Sequence, residues 1–447
     1  MRGSWCAALA AMALVIAASA APARGETEEP TPLAELVVPD AARPGPSFDV
    51  ETATQAYLAT LSAADRARSD AYFEGGYWLP LVGLLYDVAL VALVLELGIS
   101  ARLRDLGERA VRWRFLASAI YGALLVVVWA VLDLPLAFWV GFVREHAYGL
   151  SNLTAGGWLV EQAKGLGVSV VLAPPAVAIL HAVVRRRPGR WWIPATVTSM
   201  VFLVISLVIA PVFIAPVFNE YRPLRPGPVR DAIVSMVRAN GVEAEDVYWF
   251  DASKQTKRIS ANVSGALGTT RISLNDNLLR DTSLPEIEAV LGHELGHDVL
   301  HHIGKMVLEL SLLIGAGLAA AQRVHLRLLT WRGARWKLRD GGDVAGLPLV
   351  AMLISAWFVL MTPVLNTIVR SAESEADLFG LNAAREPHAF ASVAMKLASY
   401  RKLAPSPLEE AIFYDHPSGT TRVRMAMTWF REHPDAGAGG TGAAAPR

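Results

Sequence analysis

Six long apolar segments dominate the hydrophobic pattern of this chain: Tyr77–Leu97, Phe115–Val143, Gly165–Val184, Trp191–Phe218, Met306–Ala321 and Ala345–Val369. A membrane-crossing helix needs roughly 20 predominantly apolar residues. The fourth and sixth segments hold no charged residue and are long enough to cross with tilt. The fifth is short and is expected to continue a helix that begins before it. Aromatic residues cluster at span ends (Tyr77, Trp78, Trp191, Trp192), where amphipathic rings anchor at the interface. Asp87, Asp133 and Glu309 fall inside apolar stretches and are expected to face the bundle interior or water. The pattern predicts a mainly α, polytopic membrane helical bundle of about six spans, four in 77–218 and two in 303–369.

Two blocks, 219–302 and 370–432, are too polar to cross a bilayer. In the first, Val229, Ile233, Met236 and Val237 fall at helical spacing within Pro228–Asn240, and Gly241 ends the run. Val247–Phe250, Ile259–Ala266 and Thr270–Asn275 read as short strands, the last two as a hairpin around Gly265–Gly268. A helix starts near Pro285, with Ser283 and Glu286 at capping-box spacing. Together the blocks predict a small α+β domain. At the N-terminus, Arg2, the apolar run Trp5–Ala18 and the small residues after it read as a signal peptide or anchor over 1–25. Residues 26–76 form a polar segment with an amphipathic stretch around Thr52–Tyr72, and the Gly/Ala-rich tail 433–447 is expected to be disordered.

Composition strengthens the membrane reading. Hydrophobic residues make up 53% and charged residues 18%, with a mean hydropathy of +0.36. An ordinary soluble domain carries about 25% charged residues. The 41 basic and 41 acidic residues cancel, which offers no general case for a nucleic-acid partner. The single cysteine, Cys6, excludes a disulfide framework and a cysteine-ligated metal.

The chemistry lies on the helix near Pro285, which contains His293-Glu294-Leu-Gly-His297. Two imidazoles four residues apart project from one helix face, the spacing that grips a single zinc ion, and Glu294 stands beside them as a candidate base. His301 is eight residues from His293, about 12 Å along a straight helix. His301 and His302 are therefore read as polar residues at the membrane surface. The third ligand is sought in Arg370-Ser-Ala-Glu373-Ser-Glu375-Ala-Asp377. Glu373 and Asp377 share a face, so one can bind metal while the other orients a ligating histidine. Glu373 is the expected ligand, and Glu375 projects from another face as a solvated residue.

These motifs resemble the integral-membrane CAAX prenyl protease 1 family of zinc metallopeptidases. The similarity extends to Glu145-His146-x-Tyr148-Gly149-Leu150, Pro216-Val-Phe-Asn219, Ser260-Ala-Asn262, Asn275-Asp-Asn-Leu-Leu279 and His416-Pro417 with Arg422, covering roughly 70–432. The resemblance implies one Zn2+ per chain held by His293, His297 and Glu373, with Glu294 as catalytic base. It also implies that Asp377 supports a ligand, that Asn262 and His416 hold the substrate backbone or oxyanion, and that Arg422 braces the acidic motif. From the residues alone, Asn262 could equally form a turn and His416 could lie at the surface. Family members have seven spans around a water-filled chamber; here the seventh could only be the N-terminal segment.

The expected activity is zinc-dependent endopeptidase hydrolysis of membrane-associated or misfolded proteins or peptides, with the bilayer as the other partner. The rivals are a site-2-type intramembrane protease and a non-catalytic membrane scaffold or chaperone. Sidedness follows from the short loops: 98–114, 185–190 and 322–344 carry 15 basic residues, whereas 144–164 carries two. Basic short loops stay cytoplasmic, so the catalytic blocks are expected on the periplasmic face of a bacterial inner membrane.

Overall fold

A computed structural model of the chain describes residues 29–30, 34–242, 246–264 and 271–436. The signal or anchor segment, the turn at Gly265–Gly268 and the chain beyond Ala436 lie outside the described residues.

Five described helices are long and apolar enough to cross a membrane. They are α2 (Ala63–Glu96), α4 (Arg114–Ala147), α5 (Ala155–Arg186), α6 (Trp192–Phe218) and α10 (His302–Arg332). Their apolar side chains stay exposed, as at Val171 (70%), Phe213 (71%) and Leu312 (68%), which requires hydrocarbon rather than water around them. Asp87 and Asp133 are half-buried between helices, while Glu309 is exposed on α10.

The sixth expected span is not straight. It divides into α11 (Leu347–Leu360) and α12 (Thr362–Ala384), bent by 62° at the break. Pro363 lies in the first turn of α12. It has no N–H to return to the preceding turn, and its ring disfavours helix at the residue before it, so the chain can change direction there. The fifth span does begin earlier than its apolar core, as expected, and runs for 31 residues.

The polar blocks fold together with the segment ahead of the first span. A four-stranded sheet has the order β1 (Tyr221–Pro223), β2 (Asp246–Phe250), β4 (Arg271–Asn275), β3 (Ala261–Ser264). β1 and β3 run antiparallel to their neighbours, and β2 and β4 are parallel. The short strand β1 had no sequence signal, since three residues cannot display a period. α7 (Pro228–Ala239) ends as expected, with Gly241 at φ +74. It packs with the sheet and α9 (Leu284–Val299) around Ile233, Ile272, Leu274, Ile287 and Leu291.

A second core joins α9 to α13 (Pro387–Leu397), α15 (Gly419–Glu432) and α1 (Val50–Leu58) through Ala289, Phe390, Val423, Met427 and Tyr57. The Tyr57 hydroxyl lies 3.0 Å from His388 Nδ1. Residues 50–58 are thus part of this second core. The remaining helices are α3 (Ile99–Ala110), α8 (Asp276–Asp281) and α14 (Pro407–Phe413).

Candidate metal centre

Local sequence positions the first half of the site. Ser283 and Glu286 form the expected capping box of α9, with the Ser283 N–H donating to Glu286 Oε2 at 2.7 Å. Glu286 is fully buried and also pairs with Lys396 at 2.7 Å, which ties the start of α9 to α13. From this fixed start, His293, Glu294 and His297 follow on the last two turns of the helix.

The second half depends on how closely α9 and α12 cross. A Cβ on Gly380 would lie 2.8 Å from the His293 backbone nitrogen, and one on Gly296 would lie 3.0 Å from Ala376 Cα. Only glycine permits this backbone approach. It brings Glu373 and Asp377 against the histidines.

His293, His297 and Glu373 each offer a ligand atom, and these atoms lie within 4.8 Å of one another. His293 Nε2 is 3.2 Å from His297 Nε2 and 3.2 Å from Glu373 Oε2; His297 Nε2 is 3.5 Å from Glu373 Oε1. Glu373 Oε2 is buried, yet it has no well-directed hydrogen bond although two ring nitrogens lie at 3.2 Å. Three ligand atoms this close together, one of them a buried carboxylate oxygen without a hydrogen bond, suit a cation between them. Two imidazoles and one carboxylate are a donor set that zinc accepts, with one position left open.

The opposite edges of the rings are also engaged. His293 Nδ1 faces Asp377 Oδ1 at 2.8 Å, and Asp377, fully buried, is held by Arg422 through Nε (2.9 Å) and Nη2 (2.6 Å). Burial works to lower the His293 pKa, but Asp377 and Glu373 overcome it and raise it to about 9, a measure of the negative potential a cation would meet. Burial, with His293 beside it, pushes His297 down to about 4, so its ring is neutral and able to ligate.

His302 is a correction to the sequence reading. It is not a surface residue: it is 1% exposed, with Nδ1 3.1 Å from His297 Nδ1 and Nε2 3.0 Å from Glu375 Oε2. The reason is a helix break. α9 stops at Val299, His301 takes a left-handed φ of +56, and α10 restarts at His302, turning its ring back towards His297. Straight-helix geometry places no histidine five residues on in that position. Glu375 keeps its exposed, solvated aspect while accepting from His302 and Lys305. His301 is exposed, as expected.

Beside the cluster lies a cleft of about 220 Å³ lined by Ser260, Ala261, Glu294, Tyr400, Arg401 and His416. Burial pushes the Glu294 carboxyl up to about 7. His416 reaches Glu373 Oε2 through Nε2 at 3.2 Å and Asp415 through Nδ1 at 2.9 Å, so it belongs to the site and not to the open surface. Asn262 is exposed on β3, next to the cleft-lining Ala261 and opposite Ser273 in register. The structure thus gathers seven of the eight expected residues into one cluster and leaves Asn262 at its rim. A larger cavity of about 630 Å³ adjoins the cleft, sharing Tyr400 and Arg401 as walls.

Comparison with known proteins gives concordant results. Residues 223–430 match peptidase family M48, and residues 51–220 match the CAAX prenyl protease N-terminal segment of five membrane helices. The uncharacterized metalloprotease YhfN of Bacillus subtilis is 26% identical over 82% of this chain and 86% of its own length. CAAX prenyl protease 1 of Saccharomyces cerevisiae is 31% identical over 43% of this chain and 42% of its own. The crystal structure of S. mikatae Ste24p superposes with a TM-score of 0.66 at 21% identity, over 82% of this chain and 89% of that one. That last likeness establishes the fold.

Proposed function

The chain belongs to peptidase family M48, behind a CAAX prenyl protease N-terminal membrane segment, and from that premise we propose that it is a zinc endopeptidase acting on membrane-associated or misfolded proteins and peptides. It is a membrane-embedded metalloprotease; the ion, the ligands and the substrate class are our assignments. The observation that carries them is the convergence of His293, His297 and Glu373.

When bound, zinc supplies Lewis-acid polarisation of the scissile carbonyl and of the attacking water. Glu294 takes the proton of that water and delivers it to the leaving amine. A carboxyl poised near 7 can exchange a proton in both directions at neutral pH. His416, whose Nδ1–H donates to Asp415, lines the cleft, and in its imidazolium form its Nε2–H can donate to the developing oxyanion. β3 is the outer strand of the sheet order, so an extended peptide can pair with its free edge, with Asn262 as an added backbone partner. Asp377 and Arg422 hold the His293 ring in register, and His302 does the same for His297.

Glu294→Gln should retain the metal and lose peptide hydrolysis, because the amide cannot accept the proton while the ligands are untouched. Metal loss from this variant, or retained hydrolysis, overturns the assignment. Its membranes should also accumulate the physiological substrate, visible by proteomic comparison with wild type.

We further place the active site on the outer face of the cell membrane. The three Arg-rich loops meet at one end of the bundle, around Arg104, Arg185 and Arg339. The metal cluster lies at the other end of α10, and basic short loops remain cytoplasmic. Alkaline phosphatase fused after Ala436 should be active and one fused within 332–340 inactive; the reverse pattern refutes this sidedness.

A further inference from the structure

The basic end of the bundle contains two adjoining cavities that the hydrolytic site does not use. The inner one, about 120 Å³, lies between α5, α6, α10 and the loop at 341–347. Two of its wall residues are buried polar groups left without partners. Among the described residues, His325 is 2% exposed with neither ring nitrogen hydrogen-bonded, and Trp191 is 3% exposed with no acceptor for its Nε1–H. The loop backbone presses on the imidazole, since a Cβ on Gly346 would fall 2.9 Å from His325 Cε1. Buried polar groups are almost always satisfied, and the N–H groups among these three unpaired atoms call for an occupant that offers acceptors.

The outer cavity, about 450 Å³, shares His181, Gly342, Asp343 and Val344 with the inner one and opens among arginines. Two of them are already engaged: Arg104 pairs with Asp343, and Arg339 grips Glu108 at 2.6 and 2.7 Å. His181 is likewise satisfied, by Ser118 and the Gly342 carbonyl. Arg114 and Arg185 have no ion-pair partner among the described residues. The one acid not matched to an arginine, Asp340, accepts from the Gly342 N–H. Around the mouth, the three loops carry 15 basic residues against four acidic ones (Asp105, Glu108, Asp340, Asp343).

The combination of an open cationic mouth and a buried, mostly apolar inner chamber with a few unpaired polar atoms has the chemistry of an amphiphile, anionic at one end. We propose that this double cavity binds one anionic glycerophospholipid, with its phosphate against Arg114 and Arg185 and its ester region against Trp191 Nε1–H and His325. The indole N–H and an imidazole N–H can each donate to an ester carbonyl. Basic pockets between membrane helices on the cytoplasmic side are suited to such headgroups. The site is remote from the metal centre: His325 is 23 residues along α10 from His302, about 35 Å at helical rise. It therefore stands whether or not the zinc assignment holds.

The test uses the full-length protein in detergent micelles, reading the unfolding temperature against added phosphatidylglycerol, phosphatidylcholine, inorganic phosphate or glycerol phosphate. Phosphatidylglycerol alone should raise the unfolding temperature, saturably. An Arg114→Gln/Arg185→Gln variant should bind it at least tenfold more weakly, with the lipid-free unfolding temperature unchanged, because both side chains are exposed and unpaired. Trp191→Phe should weaken binding as well, by removing the buried N–H. An Arg186→Gln/Arg187→Gln variant removes the same amount of charge from the loop that holds Arg185, outside the cavity lining, and should bind like wild type. Equal weakening in that control, or an equal response to phosphatidylcholine, would reveal diffuse surface attraction and overturn the proposal. A response to inorganic phosphate or glycerol phosphate matching that to the lipid would show a soluble-anion site and also overturn it.

Discussion

Gly380→Ala adds one methyl group at the closest point between α9 and α12, and its consequences can be worked from the structure. The new Cβ would lie 2.8 Å from the His293 backbone nitrogen, 3.1 Å from Gly292 C and 3.1 Å from His293 Cα. All three are backbone atoms, so no side chain can swing aside. Restoring ordinary contact at about 3.4 Å requires the helices to part by about 0.6 Å, and overpacking of this kind costs about 1–3 kcal/mol. The site feels the displacement directly, since Glu373 rides on α12 and both histidines on α9. Metal–ligand distances hold to within about 0.2 Å, so a relative shift of about 0.6 Å should weaken metal binding at least tenfold. Metal content of the purified variant, titrated against a competing chelator, reads this directly, and thermal unfolding reads the packing cost. Gly304→Ala is the control: a Cβ there meets nothing within 4 Å, so metal content and unfolding temperature should not fall. Wild-type metal affinity in Gly380→Ala would refute the view that this crossing sets the ligand geometry.

Three other perturbations probe the groups around the ligands. Arg422→Met leaves the Asp377 carboxylate fully buried without its cation; loss of one partner of a buried pair costs about 3–5 kcal/mol, so the unfolding temperature should drop sharply, and a small drop would mean that water replaces the guanidinium. His302→Leu removes the partner of His297 Nδ1 and should reduce metal affinity about 10–100-fold, whereas Glu375→Gln, at an exposed position, should reduce it much less; equal losses would place the control in Glu375. Glu373→Ala should shed metal far more readily than Glu375→Ala, and equal occupancy in the two variants would place the third ligand elsewhere.

What the sequence determined by itself was whatever neighbours along the chain encode. The apolar runs predicted the crossing helices because each satisfies its own backbone hydrogen bonds and needs only length and hydropathy. The His293–His297 spacing was legible because four residues make about one turn, and the start of α9 because Ser283 and Glu286 cap it locally. The resemblance carried His416 and Arg422, which spacing alone could not have joined to the histidines. Tertiary structure decided the rest. Glu373 was distinguishable from Glu375 by helix face, yet its arrival beside His297 depends on a 62° bend and on glycines that let two helices touch. The role of His302 is invisible to periodicity because it arises from a single left-handed residue, His301. The docking of residues 50–58 against α13 and α15 was equally hidden. Local pattern specifies an element and its face, whereas the pairing of distant faces is chosen by which surfaces can approach closely enough to exclude each other's solvent.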